Sequence, residues 1–201
     1  ACRKYGENRI AVCAGQCDNG TELSFAGHSA FVQNGAFPEG YCFEMQGADY
    51  PASYISEKYG VTGPSLSFST ACSSSAGALI KAAELIRSGL ADAVIAGGVD
   101  ITSDTVLLGF DSLEAVSSDI TDPFSANRHG ITLGEGAAYF VITKDAPEGI
   151  PAVKLLGYGE TADAYHMTSP DPEGTGAAAA MKEALDNACL FPADIDYINM
   201  H

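Results

Sequence analysis

From Arg9 to Gly15 the chain reads RIAVCAG, with a small or apolar side chain at every position after the arginine. A short continuous run of this kind predicts a strand covered on both faces. DAVIAGGVD (92–100) repeats the signal and carries two glycines near its end, and GAAYFVIT (136–143) predicts another strand. ADYPASYISEKYG (48–60) predicts a helix, with Pro51 in its first turn and Gly60 as its stop. GPSLSF (63–68) is a turn followed by alternating small and apolar positions. After Cys72 the apolar positions fall at Ala76, Leu79, Ile80, Ala83, Leu85 and Ile86, a helical spacing that ends at Gly89. Further on, PEGI (147–150) predicts a turn into PAVKLLGYGE (151–160), GTGAAAAMKEALDNACL (174–190) a helix, and IDYINMH (195–201) a strand. Strands alternating with helices indicate an α/β fold with largely parallel, buried strands.

The junction STACSSSAGAL (69–79) adds chemistry to this pattern. Cys72 falls at or just before a helix N-terminus. There, unpaired backbone N–H groups and the positive end of the helix dipole favour negative charge. Such surroundings favour the thiolate, the nucleophilic form of cysteine. A buried structural cysteine is the other reading of the same residues, and the local sequence leaves both open.

At 201 residues the chain can build one sizeable domain or a large piece of a bigger one, and 46% hydrophobic residues make it globular. A net charge of −16 with ten scattered basic residues argues against nucleic acid, whose phosphates need clustered Lys and Arg. No apolar stretch is long enough to span a bilayer, and no signal-like segment opens the sequence. The six cysteines (Cys2, Cys13, Cys17, Cys42, Cys72, Cys189) follow no small-scaffold disulfide pattern, which points to a reducing, cytoplasmic setting. Cys13, Cys17 and His28 lack a matching second ligand pair, so no metal is expected. Both ends look cut: ACRKYGEN resembles the tail of a helix, and His201 falls where a strand should pass into a loop.

Two short motifs read as chance matches. GHSAF (27–31) begins like a hydrolase nucleophile elbow, but Phe31 stands where the closing glycine is needed, and no strand leads into it. GYGETA (157–162) imitates a dinucleotide fingerprint, yet the prolines of DAYHMTSPDP (163–172) do not suit the helix it requires. PFSANRHGITLGEGAAYFVI (123–142) brackets a segment with an Arg-x-Gly turn and a Gly-Glu-Gly turn; from spacing alone this is ordinary hairpin chemistry. In combination the motifs say more. GPSLSFSTACSSSAGAL (63–79), AVIAGGVD (93–100), PFSANRHGITLGEGAA (123–138), GETADAYHMTSP (159–170) and DYINMH (196–201) occur in an order and spacing that resembles the β-ketoacyl-[acyl-carrier-protein] synthases. These are the elongating condensing enzymes of fatty acid and polyketide synthesis, and the resemblance runs over essentially the whole chain.

The resemblance implies the thiolase fold, two similar α/β halves in a layered αβαβα structure that is usually dimeric. Residues 1–150 then form the remainder of the N-terminal half and residues 151–201 the start of the C-terminal half. It implies that Cys72 takes an acyl chain from a carrier thioester, with its own N–H as one oxyanion donor. A malonyl carrier is then decarboxylated and its carbanion attacks the acyl-enzyme, without a cofactor. His201 matches the first of the family's two active-site histidines, an imidazole N–H donor to the enolate oxygen. The second histidine, a lysine and a Gly-rich loop are expected beyond residue 201. His166, with Asp163, is implied as a supporting residue. His129 and Ser125 stand where the family usually carries aspartates. Asp18 falls near an apolar position lining the acyl pocket, where a buried ionised carboxylate is costly, and Phe110 is assigned to the same pocket. Asp122 occupies a position where relatives usually carry arginine facing the carrier protein, and Arg128 is placed in the same docking region. The implied partners are acyl- and malonyl-loaded acyl carrier protein and a second subunit, in a homodimer or a synthase/chain-length-factor heterodimer. A thiolase using coenzyme A and a non-catalytic chain-length-factor-like subunit are the rival readings; Cys72 argues against the second.

Overall fold

The computed structural model describes residues 2–146, 148–149, 151–167 and 169–201. The chain divides into two compact units, Ala1–Asp145 and Ala146–His201. Among the described residues, the first unit has strands β1 (Ile10–Gly15), β2 (Ser65–Phe68), β3 (Ala93–Asp100) and β4 (Gly136–Thr143), joined in one sheet of order β2-β1-β3-β4. β1 pairs in parallel with both β2 and β3, whereas β3 and β4 are antiparallel. The expected parallel, fully buried strand is therefore β1, buried at all its residues. β2 and β4 are edge strands with several exposed positions, because each has a neighbour on one side only.

Helices α1 (Cys2–Tyr5), α2 (Thr21–Asn34), α3 (Tyr50–Tyr59), α4 (Ser74–Arg87) and α5 (Asp104–Asp111) complete this unit. α3 and α4 flank opposite faces of the sheet. Ala11 and Cys13 pack with Ala78, Ala82 and Leu85, while Ile10, Val12 and Ala14 pack with Ala52 and Val61. Both faces of β1 are thus covered, which is why RIAVCAG shows no polar alternation. α3 carries its proline in the first turn and ends at Gly60 with φ 63, a left-handed stop that glycine adopts without strain. GHSAF lies inside α2, which removes the elbow reading.

The entries to β1 and β3 are tied together. Arg9 Nε and Nη2 donate to the two Asp92 carboxylate oxygens at 2.9 and 2.8 Å, and the Asp92 N–H donates to the Arg9 carbonyl at 2.8 Å. The guanidinium hydrogen bond holds the Asp92 carboxyl below the usual aspartate range. A folded-state value below the unfolded one gives stability that is present above the unfolded range and lost as pH falls through the folded value. Asp92→Asn is therefore expected to flatten the acid limb of the stability curve below about pH 4. The change is small because the pair is half-exposed and screened by solvent. Denaturant unfolding at stepped pH checks this; an unaltered acid limb contradicts it.

In the second unit α6 (Thr175–Ala188) is the α-helix among the described residues, within the expected 174–190. A Cβ on Gly157 would stand 2.1 Å from the Ala184 carbonyl oxygen, and one on Gly159 2.1 Å from that of Ala180. The glycines of GYGETA therefore serve close packing of a chain segment on a helix. Residues 195–201, expected as a strand, form none, because no partner strand among the described residues of this unit supplies the ladder hydrogen bonds. The turn expected at 147–150 includes Pro147 and Ile150, which lie outside the described residues, as does Thr168 of DAYHMTSP. Among the described residues no helix is long and apolar enough to cross a membrane.

Candidate active site

β2 ends at Phe68, and the chain passes through a single 3-10 turn, Ala71–Ser73, into α4. Cys72 is the middle residue of that turn and is exposed. Ala71, just before it, has φ 54, a left-handed conformation that a β-carbon makes unfavourable. Ser74 holds the turn in this state. Its Oγ accepts the Thr70 N–H at 2.8 Å and donates to the Ala71 carbonyl at 2.6 Å, in a residue only 3% exposed. Ser73 Oγ adds a bond to the Thr70 carbonyl at 2.9 Å. Two of the serines after Cys72 thus brace the turn that presents it.

Glycines bring this turn onto the sheet. A Cβ on Gly15, the last residue of β1, would fall 2.5 Å from the Ser74 carbonyl carbon, and one on Gly98 2.8 Å from Ser75 Cβ. α4 therefore begins against the carboxyl ends of β1 and β3, the end of a parallel sheet where α/β folds bind ligands. A cleft of about 470 Å³ opens there, with Cys72, Ser75, Asp100 and Phe140 among its lining residues. Much of the rest of its wall is glycine and alanine, including Gly15, Gly98 and Ala137.

The neighbouring thiols differ from Cys72. Cys13 is fully buried in β1, and burial pushes its thiol up to about 11, so it stays protonated at neutral pH. Cys17 is exposed in the loop after β1. Its N–H and that of Asp18 donate to Asp100 Oδ1 at 2.7 and 2.9 Å. Partial burial and then the charges of Asp100, Cys72 and Asp18 raise the Cys17 thiol. Neither Asp100 nor Ser74 was singled out from the sequence. The acid closing AVIAGGVD and the serine two places after Cys72 were the available signals.

The other sequence-derived candidates of the first unit are not among the residues lining this cleft. Asp18 Oδ1 accepts the Thr21 N–H and hydroxyl at 3.1 and 2.5 Å, at the start of α2, and Oδ2 is buried with no partner among the described residues. The cleft at Cys72 is lined by neither Asp18 nor Phe110; the latter is half-buried in the last turn of α5. Asp122 and Arg128 are exposed in one loop, where the Ser125 N–H donates to the Asp122 carbonyl and the Arg128 N–H to the Ser125 carbonyl, both at 3.2 Å. Glu135, of the Gly-Glu-Gly turn, accepts the Thr102 N–H at 3.0 Å, so that turn anchors the segment after β3. His28 is an exposed residue of α2, its Nδ1 2.8 Å from the Ser24 carbonyl oxygen and its ring edge-on to Phe37 and Tyr41.

In the second unit Asp163 organises the loop that carries His166. Its carboxylate accepts the Tyr165 N–H at 3.2 Å and the Asp171 N–H at 2.8 Å. Asp171 in turn accepts from the Thr175 hydroxyl at the start of α6, and that bond holds its carboxyl below the usual range. His166 and His201 are both exposed.

Residues 3–147 match the family model of the beta-ketoacyl synthase N-terminal domain, and residues 153–201 that of the beta-ketoacyl synthase C-terminal domain. The chain is 33% identical, over 207 aligned positions, to 3-oxoacyl-[acyl-carrier-protein] synthase 2 of Staphylococcus aureus, covering 96% of this chain and 51% of that protein. Its structure is similar to a chain in a ketosynthase (ApeO) complexed with its chain length factor (ApeC) from Xenorhabdus doucetiae. There the TM-score is 0.91 at 39% identity, over 99% of this chain and 49% of that one. A beta-ketoacyl synthase from Burkholderia phymatum STM815 gives a TM-score of 0.85 at 27% identity, over 98% of this chain and 51% of that one. The chain spans about half the length of the relatives it matches.

Proposed function

The chain belongs to the β-ketoacyl synthase family and has its thiolase-like α/β fold, and from that premise we propose that Cys72 accepts the acyl group in a decarboxylative Claisen condensation. The supporting observation is an exposed cysteine held in a strained turn against the sheet's carboxyl end, open to a small-walled cleft. The Cys72 thiolate attacks the carbonyl carbon of an acyl-carrier thioester. A sulfur–carbon bond forms, and the carrier thiolate leaves and takes up a proton. A malonyl carrier then loses carbon dioxide. The electron pair left on its α-carbon forms the new carbon–carbon bond at the acyl carbonyl, and the Cys72 sulfur departs. Each tetrahedral oxyanion needs backbone N–H donors, and the Cys72 N–H is assigned as one. His201 keeps the role implied by the resemblance, an imidazole N–H donor to the developing enolate oxygen. Asp163 supports His166 by closing its loop.

The donor is an acyl carrier protein in this reading, and six free cysteines support a reducing compartment, the cytoplasm. The test compares two thioesters. Acyl-carrier thioester is expected to load the chain severalfold faster than the same acyl group on coenzyme A; the reverse order favours a thiolase.

Subunit pairing is assigned to β2. This strand is a sheet edge with Ser65 and Leu66 exposed, and its small serine side chains permit close approach of a second strand. Sedimentation of the chain is expected to show a dimer. A stable monomer that loads acyl groups at the full rate contradicts the assignment.

A further inference from the structure

Two thiols, Cys17 and Cys72, stand at one end of the sheet. β1 and β2 run parallel with Gly15 opposite Phe68, and the Gln16 N–H donates to the Phe68 carbonyl at 3.0 Å. Beyond this last rung one chain reaches Cys17 and the other Cys72. Asn19 Nδ2 lies 3.4 Å from Ser69 Oγ between the two segments. Asp100, which lines the cleft together with Cys72, holds the Cys17 N–H at 2.7 Å. Both cysteines are exposed and free. By contrast, Cys13 is sealed in the core, and Cys42 donates to Glu44 at 3.0 Å.

We propose that Cys17 is a resolving thiol for Cys72, forming a reversible Cys17–Cys72 disulfide when a hydroperoxide oxidises the nucleophile. The Cys72 thiolate attacks the peroxide. A sulfur–oxygen bond forms, the oxygen–oxygen bond breaks, and the leaving oxyanion takes up a proton; sulfur is oxidised to sulfenic acid and the peroxide reduced. The Cys17 thiolate then attacks that sulfur, and hydroxide leaves as water with the proton Cys17 gave up. A dithiol restores both thiols by two exchange steps. Without a resolving partner, an exposed sulfenic acid advances to sulfinic acid, which thiols do not reverse.

Burial first, and then the charges of Asp100, Cys72 and Asp18, raise the Cys17 thiol above its ordinary value, which makes it a weaker competitor for acyl groups. Disulfide formation is accordingly expected to speed up as pH rises toward the Cys17 range. The inference shares one premise with the proposed function, a reactive Cys72.

The test treats the reduced chain with a slight excess of hydrogen peroxide, blocks residual thiols and maps the peptides by mass. A peptide pair joined through Cys17 and Cys72, lighter by two hydrogen atoms and separated by dithiothreitol, is the expected product. In Cys17→Ser the Cys72 thiol recovered by dithiothreitol is expected to fall severalfold, with sulfinic acid in its place. Sulfinic acid at Cys72 of the unaltered chain without the crosslink, a Cys72 crosslink to another cysteine, or an unoxidised Cys72 each overturns the proposal. Acyl loading of the same reduced sample separates the two readings. A crosslink without loading removes the proposed function alone, and loading without a crosslink removes the resolving thiol alone.

Discussion

Cys72→Ala is expected to abolish acyl loading of the chain, by at least about 10³-fold, and to leave its stability within about 0.5 kcal/mol. Both parts follow from position. The side chain is exposed and belongs to neither core cluster, so its loss opens no cavity. The turn is braced by Ser73 and Ser74, not by the thiol. Cys72→Ser is expected to fail almost as completely, because an unactivated hydroxyl remains protonated at neutral pH and is a poor nucleophile toward a thioester. Intact-mass measurement after incubation with an acyl-carrier thioester, beside a denaturant curve, reads both effects. Undiminished loading of the alanine variant would place the acyl group on another residue.

One methyl group at Gly15 is expected to have the second largest effect. A Cβ there would lie 2.5 Å from the Ser74 carbonyl carbon and Ser75 nitrogen and 2.6 Å from the Ser74 oxygen. These are backbone atoms that no rotamer change can move aside, so β1 or the start of α4 must shift. Gly15→Ala is therefore expected to destabilise the chain by about 1–3 kcal/mol, as overpacking does. It is also expected to change the rate at which Cys72 reacts with iodoacetamide severalfold, since the Ala71–Ser73 turn is tied to Ser74. Gly109→Ala is the control: a Cβ there meets nothing within 4 Å, and neither quantity is expected to fall. Equal behaviour of the two variants would show that the clearance at Gly15 does not position the turn.

The sequence made legible those elements whose partners are supplied by their own pattern. β1 and β3 announce themselves because each is apolar on both faces, and α3 because Pro51 and Gly60 mark its ends. α2 escaped because its large apolar residues, Leu23, Phe25, Phe31 and Val32, are exposed and make no single stripe. α5 is short and buries none of its residues, although Ser103 accepting the Val106 N–H at 3.1 Å is a cap that could have been read. Residues 195–201 carry Ile195, Tyr197, Ile198 and Met200, side chains that suit a strand, but residue types cannot report whether another strand stands alongside. The same division holds at the site. A cysteine at a strand-to-helix junction was legible, and the family motifs around it agreed. The clearance at Gly15, the brace from Ser74 and the grip of Asp100 on Cys17 were not. Gly15 and Asp100 act between segments far apart in the chain, and Ser74 acts through a backbone conformation that residue types alone do not encode.

Mapping the acyl group to a single residue tests the assignment of the nucleophile most directly. The chain is incubated with an acyl-carrier thioester, quenched and digested, and each cysteine peptide is weighed before and after hydroxylamine, which cleaves thioesters. Acyl mass is expected on the peptide containing Cys72 and is expected to vanish with hydroxylamine. Acyl mass mainly on Cys13, Cys17 or Cys189, or on no cysteine at all, contradicts the assignment.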